Sequence, residues 1–336
     1  MLQKSSRLFA AGAGSNAAFF SGSPLDRLHT LRSKADGFES AIQAHATSRF
    51  VPFQKQKAIV TASEPSALVS LSASELCTRM GVSSVAELKG DLILLGQHVH
   101  TREHWWTLET GEKLTLSANE RVADVRLFCR ELMSTPDVAA ILAHARALAG
   151  WHSSHPHCSM CGHKTVLAEI GMKRACSGCG ASHFPRTDPV VISLVVRGDQ
   201  VLLGRQKVWP AGRYSCVAGF VDAGENIEQA AAREIHEETG VSVARVKFFT
   251  SQAWPSYSQL MLGCIAEAPA DAVINLNDEE LEHARWFTRD EIAAAAAKPD
   301  VNFMSGGDGS LTLPGPWAIA RDLINAWLEH SPATKF

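Results

Sequence analysis

The chain has 336 residues, of which 46% are hydrophobic and 20% are charged, and its formal net charge is −3. This length and balance predict an ordinary globular protein with at least two domains. The small negative charge excludes a broad basic surface for nucleic acid or anionic membranes. The chain shows no apolar run of the roughly 18–20 residues that span a bilayer, so no membrane partner is expected.

The first 22 residues contain Lys4 and Arg7 but no acidic residue. With so little arginine, this segment is only weakly similar to a transit peptide, and we interpret it as the N-terminus of a cytoplasmic protein. No secretory signal is evident, so disulfides are not expected. Four of the eight cysteines stand in scattered apolar contexts and are expected to be buried as small hydrophobic side chains: Cys77, Cys129, Cys216 and Cys264.

Residues 1–150 read as an N-terminal α+β domain. Strand-like patches occur at residues 91–95 and 104–108, and the zone ends in two helical stretches. The second of these begins at Thr135, an N-cap residue followed by Pro136 at the first helical position. The zone carries no catalytic signature, and its tryptophans are expected in the core or at an interface.

Residues 151–184 form a short segment rich in glycine and cysteine. Its pattern is C-x2-C-x14-C-x2-C, formed by Cys158, Cys161, Cys176 and Cys179. This spacing is typical of a structural zinc site with four thiolate ligands. Disulfides are disfavoured because the protein is expected in the reducing cytoplasm. A redox motif is disfavoured because it does not need a second C-x2-C pair. We therefore predict one zinc ion per chain, in a closed site that holds together a segment too small to fold alone.

Residues 185–336 alternate strands and helices. A hairpin is predicted from residues 190–196 and 200–203, with its turn at Gly198 and Asp199. Further strands are expected near residues 214–218, 246–250, 259–266 and 284–287. Helices are expected over residues 227–239, from the capping box at Thr288, and after Pro316. This order predicts an α/β (α+β) fold in which helices flank a mixed sheet.

The segment from Gly219 to Val241 contains a helix with clustered acids. Glu234, Glu237 and Glu238 lie at positions i, i+3 and i+4, so their carboxylates share one helix face. Carboxylate oxygens favour hard cations such as Mg²⁺ or Mn²⁺. Arg233 is placed to reach back to Glu225 and fix the glycine-containing loop before the helix. A solvated acidic surface is the plainer alternative.

This segment resembles the Nudix box, G-x5-E-x7-R-E-U-x-E-E-x-G-U, where U is aliphatic, at every fixed position. The resemblance implies a Nudix α/β/α sandwich that hydrolyses a diphosphate bond. It also implies that Glu234, Glu237 and Glu238 are catalytic residues that hold divalent metal, with Glu238 helping to generate the nucleophile. Glu280 matches a downstream glutamate that contributes to metal binding or base function in the family, although Glu279 and Glu282 lie close to that position.

A cysteine quartet before a Nudix domain resembles the zinc-ribbon-containing NADH pyrophosphatases. Their motif S-Q-P-W-P-F-P-x-S is half matched by residues 251–259, where Ala253, Ser256, Tyr257 and Gln259 depart from it. The resemblance and the aromatic character of the side chains predict substrate contacts. The residues concerned are Phe184, Phe220, Gln252, Trp254 and Pro255.

Three functions remain open from the sequence. The first is hydrolysis of NADH or NAD⁺ to nicotinamide mononucleotide and AMP, extending to the 5′ end of NAD-capped RNA. The second is a Nudix hydrolase for another nucleoside diphosphate derivative, such as ADP-ribose or a dinucleotide polyphosphate. The third is a non-catalytic zinc-ribbon protein that binds nucleic acid. The family resemblance also implies a homodimer.

Overall fold

The computed structural model describes residues 18–43, 47–255, 258–276, 280–299 and 309–329. Five residues used in the sequence-based predictions lie outside the described residues: Lys4, Arg7, Ser256, Tyr257 and Glu279. None of the helices in the described ranges is both long and apolar enough to cross a lipid bilayer.

The chain forms two compact units. The N-terminal unit comprises residues 20–187 and 254–258, and the C-terminal unit comprises the remainder of the chain. The predicted zinc segment therefore belongs to the N-terminal unit. The division into domains at residues 150 and 184 stays a prediction.

The N-terminal unit is built on a mixed sheet. Its strands are β1 (Leu25–Asp26), β2 (Ser48–Gln54), β3 (Lys57–Thr61), β4 (Ile93–His98), β5 (His104–Glu109) and β6 (Glu120–Ala123). Its helices within the described residues are α1 (His29–Arg32), α2 (Gly37–Ile42), α3 (Ala73–Met80) and α4 (Pro136–Ser154). The strand order is β1-β4-β5-β2-β3-β6, and β2 runs parallel to β5.

Aromatic packing closes the core of this unit. Trp106 is fully buried, its ring stacks on that of Phe50 at 6.3 Å, and Phe38 meets it edge-on at 5.9 Å. Offset and edge-on pairs of this kind are favourable beyond the area that they bury. The predicted core position of Trp106 is confirmed.

The predictions for this unit need three corrections. Strand β4 begins two residues late, because the backbone amides of Asp91 and Leu92 donate to the carbonyl of Leu88 and prolong a turn. Helix α4 begins at Pro136 as predicted, but the Thr135 hydroxyl donates to the Leu132 carbonyl and caps nothing. The first of the two helical stretches consists of 3₁₀ turns at Val125–Leu127 and Glu131–Ser134.

A small antiparallel sheet carries the cysteine segment. Its strands are β7 (Thr165–Ala168), β8 (Lys173–Cys176) and β9 (Ser182–His183), paired in that order. Thr165 pairs with Cys176, which brings the start of β7 beside the second knuckle. The first knuckle closes through a hydrogen bond from the Cys158 amide to the His163 carbonyl at 2.8 Å.

The C-terminal unit contains a second mixed sheet. Its strands are β10 (Asp188–Arg197), β11 (Gln200–Arg205), β12 (Val217–Phe220), β13 (Arg245–Trp254), β14 (Gln259–Glu267) and β15 (His283–Thr288). Its helices within the described residues are α5 (Ile227–Thr239), α6 (Arg289–Ala296) and α7 (Ile319–Glu329). The order is β13-β14-β10-β11-β15, with β12 paired to β10.

Helices α5 and α7 cover opposite faces of this sheet. On β14, Cys264 packs with Ala230 and Ala231 of α5, whereas a Cβ on Gly263 would lie 2.9 Å from Ile319 of α7. Successive residues of a strand point to opposite faces, so the two helices enclose the sheet between them. The predicted α/β/α sandwich with a mixed sheet is confirmed.

Most predicted elements of this unit are confirmed, including the hairpin at Gly198 and helix α5. The exception is the strand expected near residues 214–218, which begins at Val217. The amides of Tyr214 and Ser215 donate to the carbonyls of Thr312 and Gly204, so these two residues are not part of the β12 pairing with β10.

Candidate active site and zinc ribbon

Helix α5 is fixed at both ends by backbone chemistry that its sequence specifies. Asn226 caps its N-terminus by accepting from the Gln229 amide at 2.8 Å, and the Gln229 side chain accepts from the Asn226 amide at 3.1 Å. Gly240 ends the helix in a left-handed conformation with φ +69°, which favours glycine. The acidic face of α5 therefore has a defined start and end relative to strand β12.

The loop between β12 and α5 is held by Arg233. Its guanidinium donates to both carboxylate oxygens of Glu225 at 2.7 and 2.8 Å, and to the Phe220 carbonyl at 2.9 Å. Glu225 in turn accepts from the Asp222 amide at 2.9 Å. The predicted return of Arg233 to Glu225 is confirmed, and bidentate pairs of this type are the strong ones.

This ion pair also predicts a pH dependence. Hydrogen bonds from Arg233, and then from the Asp222 amide, lower the pKa of Glu225 from 4.5 to about 2. A carboxyl whose pKa is lower in the folded chain stabilises the fold above its unfolded pKa, and that contribution is lost as pH falls through the folded pKa. The melting temperature of wild type should therefore exceed that of Glu225→Gln at pH 7, and the difference should shrink between pH 4.5 and 2.

Wild type and Glu225→Gln should be melted side by side in one buffer series, with the exposed Glu228→Gln of the same helix as the control. A difference in melting temperature between wild type and Glu225→Gln that stays constant from pH 7 to 2 would contradict the lowered pKa of Glu225.

The three predicted catalytic carboxylates differ in their surroundings. Glu238 is 3% exposed, and the side chain of Glu234 is 14% exposed, whereas that of Glu237 is 53% exposed. Arg233 Nη1 donates to Glu234 at 2.8 Å and to Glu237 at 2.9 Å. The sequence predicted only the return of Arg233 to Glu225. In the structure Arg233 also supplies positive charge to the acidic face.

Burial raises the pKa of Glu234, and the carboxylates of Glu237 and Glu280 raise it further, while Arg233 opposes them. Glu280 is exposed and accepts from the Gln206 amide at 3.3 Å. Its neighbour Glu282 is instead ion-paired with Arg205. Of these two downstream glutamates, Glu280 is therefore the one whose charge acts on Glu234.

Gly219 gives Glu234 its position. A Cβ built on Gly219 would lie 1.9 Å from Cδ of Glu234 and 2.0 Å from one of its carboxylate oxygens. No side chain fits at residue 219. Because glycine has none, the Glu234 carboxylate can lie against the backbone of β12. This contact explains in physical terms why a glycine begins the acidic segment.

Gly219→Ala should displace the Glu234 carboxylate and lower kcat/KM by about 10²-fold, the cost of misplacing a catalytic group by roughly 1 Å. The measurement is steady-state hydrolysis at several Mg²⁺ concentrations. Gly90→Ala is the matched control, because no atom lies within 4 Å of a Cβ built there. Equal activity of the two variants would show that the close approach at Gly219 has no role.

The cysteine quartet has the geometry of a zinc site. The four sulfur atoms lie within 4.8 Å of one another, with Sγ–Sγ distances of 3.8 Å for Cys158–Cys179 and 3.4 Å for Cys161–Cys176. A tetrahedral ion with Zn–S bonds of about 2.3 Å needs sulfur atoms about 3.8 Å apart. In the described ranges, this is the one set of three or more candidate ligand atoms gathered so closely.

Backbone amides and a histidine surround these sulfur atoms. The amides of Cys179 and Gly178 lower the pKa of the Cys176 thiol to about 6, which favours the thiolate that zinc requires. His183 Nε2 lies 3.2 Å from Cys158 Sγ. His183 is therefore a hydrogen-bond partner of one cysteine sulfur, and groups of this kind orient the ligands of a metal.

The predicted substrate contacts fall in both units. Phe220, in the C-terminal unit, is 54% exposed at the end of β12. Phe184 and Trp254 belong to the N-terminal unit; Phe184 is 65% exposed, and Trp254 meets Phe20 edge-on at 6.3 Å. Pro255 of the same unit is buried. The exposed rings of Phe184 and Phe220 offer the apolar faces that stacking requires.

Gln252 does not fit its predicted role. Its side chain is fully buried, and its amide nitrogen donates to the carbonyls of Phe19 and Trp317 at 2.7 and 3.0 Å. Its carbonyl oxygen accepts from the Ile319 amide at 2.9 Å. Both donors of the amide are satisfied by backbone, so Gln252 anchors the start of α7 and is left out of the proposed substrate contacts.

The C-terminal unit combines an α/β/α sandwich with the Gly219 loop and the carboxylates of α5, as expected for a hydrolase domain. Comparison with known proteins identifies its family. The NUDIX domain model matches residues 186–305, and the model of the NADH pyrophosphatase zinc ribbon domain matches residues 153–184. The chain is 35% identical to Nudix hydrolase 19, chloroplastic, of Arabidopsis thaliana over 304 residues, covering 76% of this chain and 69% of that protein. The chain belongs to the Nudix hydrolase family.

Two further relatives are similar over shorter stretches. NAD-capped RNA hydrolase NUDT12 of Macaca fascicularis is 39% identical over 204 residues, covering 58% of this chain and 42% of that protein. NAD-capped RNA hydrolase NudC of Mycobacterium tuberculosis is 41% identical over 188 residues, covering 56% of this chain and 59% of that protein. The chain thus spans about two fifths to three fifths of the length of these two relatives.

Proposed function

We propose that the chain hydrolyses the diphosphate bond of NADH or NAD⁺ to nicotinamide mononucleotide and AMP. The observation that carries this proposal is the match of residues 153–184 to the NADH pyrophosphatase zinc ribbon, directly before the Nudix domain. The acidic segment supports hydrolysis of a diphosphate, while the ribbon narrows the choice of diphosphate. The names of the two NAD-capped RNA hydrolases favour the 5′ end of NAD-capped RNA as a second substrate.

The residues of α5 suit a hard divalent cation. Glu234, Glu237, Glu238 and Glu280 offer only oxygen ligands, which Mg²⁺ and Mn²⁺ prefer over softer donors. The ion, when bound, neutralises the diphosphate and lowers the pKa of an attacking water. The chain's own part is to hold Glu234 on Gly219 and to hold the loop of Phe220 through Arg233 and Glu225.

Glu238 is proposed as the residue that receives the proton of the attacking water. Its carboxylate is buried on the same face of α5 as Glu234, one helical turn away. Burial fixes the orientation of this carboxylate and keeps bulk water from competing for its hydrogen bonds, as a general base requires. We further propose that the exposed ring of Phe220 in the C-terminal unit stacks on a ring of the substrate. The substrate contacts of Phe184, Trp254 and Pro255 stay predictions from the sequence.

A product assay tests the proposal. The purified chain is incubated with Mg²⁺ or Mn²⁺ and, separately, NADH, NAD⁺, ADP-ribose, a dinucleotide polyphosphate and NAD-capped RNA, and the products are identified by mass spectrometry. Release of AMP and reduced nicotinamide mononucleotide from NADH, at the highest kcat/KM of the set, is the expected result. Preferential cleavage of ADP-ribose or of the dinucleotide polyphosphate would replace the substrate assignment and leave the hydrolase intact.

The family resemblance also supports a homodimer, which we propose and which light scattering of the purified chain tests directly. The cytoplasmic location stays a prediction from the sequence.

A further inference from the structure

A buried arginine in the N-terminal unit has unsatisfied hydrogen-bond donors. Arg32, the last residue of α1, is 2% exposed, and its Nε donates to the Arg27 carbonyl at 2.6 Å. Its terminal nitrogens Nη1 and Nη2 are both buried, and neither has a hydrogen-bond partner among the described residues. Leaving charged donors dehydrated and unpaired is costly, so such groups in native proteins point to a missing partner.

Two further basic side chains lie beside Arg32. Arg27, just after β1, is exposed, and its Nη1 contacts the ring of His144, lying 2.8 Å from Nε2. His144 lies on α4, and burial together with Arg27 and Arg32 lowers its pKa well below 6.5. The junction of β1, α1 and α4 therefore gathers two guanidinium groups and a neutral imidazole.

In the described part of the chain, no acid compensates the charge of this cluster. Neither Arg27 nor Arg32 forms an ion pair with a carboxylate there, whereas Arg205 and Arg233 of the C-terminal unit each do. The nearby Asp26 carboxylate accepts from the Leu28 amide at 2.9 Å. Burial, and then the charge of Arg27, lower the pKa of Arg32 to about 10, so Arg32 remains protonated at neutral pH.

We propose that Arg27, Arg32 and His144 form an anion-binding site in the N-terminal unit, separate from the carboxylates of α5, and that the site takes a phosphate group. A guanidinium presents donors in a planar fork that matches phosphate oxygens, and the charge of a phosphate near −2 balances two arginines. The exposed Arg27 side chain marks the side open to solvent, and Arg32 supplies the buried donors. Inorganic phosphate and the phosphate end of a nucleotide share this chemistry.

Binding of inorganic phosphate to the full chain tests the site. Calorimetry and thermal melting are performed in phosphate and in chloride at matched ionic strength, without divalent metal so that hydrolysis plays no part. Wild type should bind phosphate and melt at a higher temperature in it. Arg32→Gln should lose this response, and Arg27→Gln should weaken the affinity about tenfold or more, as expected for loss of charge-assisted hydrogen bonds. Arg130→Gln, an exposed arginine of the same unit, should behave as wild type.

The variants separate the possible outcomes. If Arg32→Gln does not fold by circular dichroism, Arg27→Gln carries the test, because its side chain is exposed. The titration is repeated with AMP, and the part of the affinity that Arg27→Gln removes is compared for AMP and for inorganic phosphate. The ligand that binds more tightly identifies the source of the phosphate. No response to phosphate beyond that to chloride, or an equal response in Arg27→Gln and wild type, would overturn the proposal. Hydrolysis of NADH plays no part in either result, so this site and the proposed function fail independently.

Discussion

Glu238→Gln is expected to reduce kcat for diphosphate hydrolysis by about 10²- to 10⁴-fold, the range for loss of a catalytic acid or base. Glutamine has nearly the same volume as glutamate, so the buried position stays filled, and only the charge and proton affinity are removed. Glu234 and Glu237 share the helix face, and removal of one like charge relieves repulsion there. The melting temperature should therefore stay equal to that of wild type or rise.

The measurement is steady-state kinetics under saturating Mg²⁺, with kcat and KM determined separately. Glu228→Gln is the matched control, because Glu228 is exposed in the first turn of the same helix and takes no part in the proposed site. We expect this control to retain wild-type activity. If Glu238→Gln kept more than half of the wild-type kcat, the assignment of Glu238 as the base would be wrong.

Cys176→Ser is expected to lower the zinc content from one ion per chain to nearly none. Cys176 is buried, its thiolate accepts from two backbone amides, and its Sγ lies 3.4 Å from that of Cys161. Structural zinc contributes about 10–16 kcal/mol of apparent binding free energy in small zinc-finger peptides. Strands β7 to β9 form a small sheet of their own, so loss of the ion should unfold them.

Metal analysis by mass spectrometry and limited proteolysis of the native chain provide the two readouts. Proteolytic cleavage should concentrate between residues 155 and 184 in the variant. Cys77→Ser, a half-buried cysteine of α3 outside the quartet, should keep its zinc and resist cleavage. Retention of a full equivalent of zinc by Cys176→Ser would exclude the quartet as the zinc site.

The sequence predicted the site best where local chemistry alone determines the structure. Asn226 and Gly240 mark the ends of α5 because capping and a left-handed turn depend on the residue at one position. The return of Arg233 to Glu225 follows from the spacing along one loop and one helix. The quartet follows from the spacing of two knuckles. None of these features requires knowledge of distant parts of the chain.

Predictions that depend on distant partners were less accurate. Gln252 lies in a half-matched recognition motif, yet its amide is satisfied by backbone groups of Phe19 and Trp317, which are remote in sequence. Strand β12 begins late because Thr312, about a hundred residues away, bonds to Tyr214. The unsatisfied terminal nitrogens of Arg32 could not be predicted from the sequence either, because only the fold shows that no partner among the described residues reaches them.

The position of Arg233 bears on how each expected metal ion affects folding. With Arg233 bonded to Glu225, Glu234 and Glu237, the acidic helix carries its own counter-charge before any divalent ion arrives. We therefore expect the C-terminal unit to fold and to keep its melting temperature without Mg²⁺ or Mn²⁺. The cysteine segment is expected to differ, because small zinc-binding segments fold only with their ion. Removal of divalent metal should thus leave the acidic helix folded, whereas removal of zinc should unfold the ribbon.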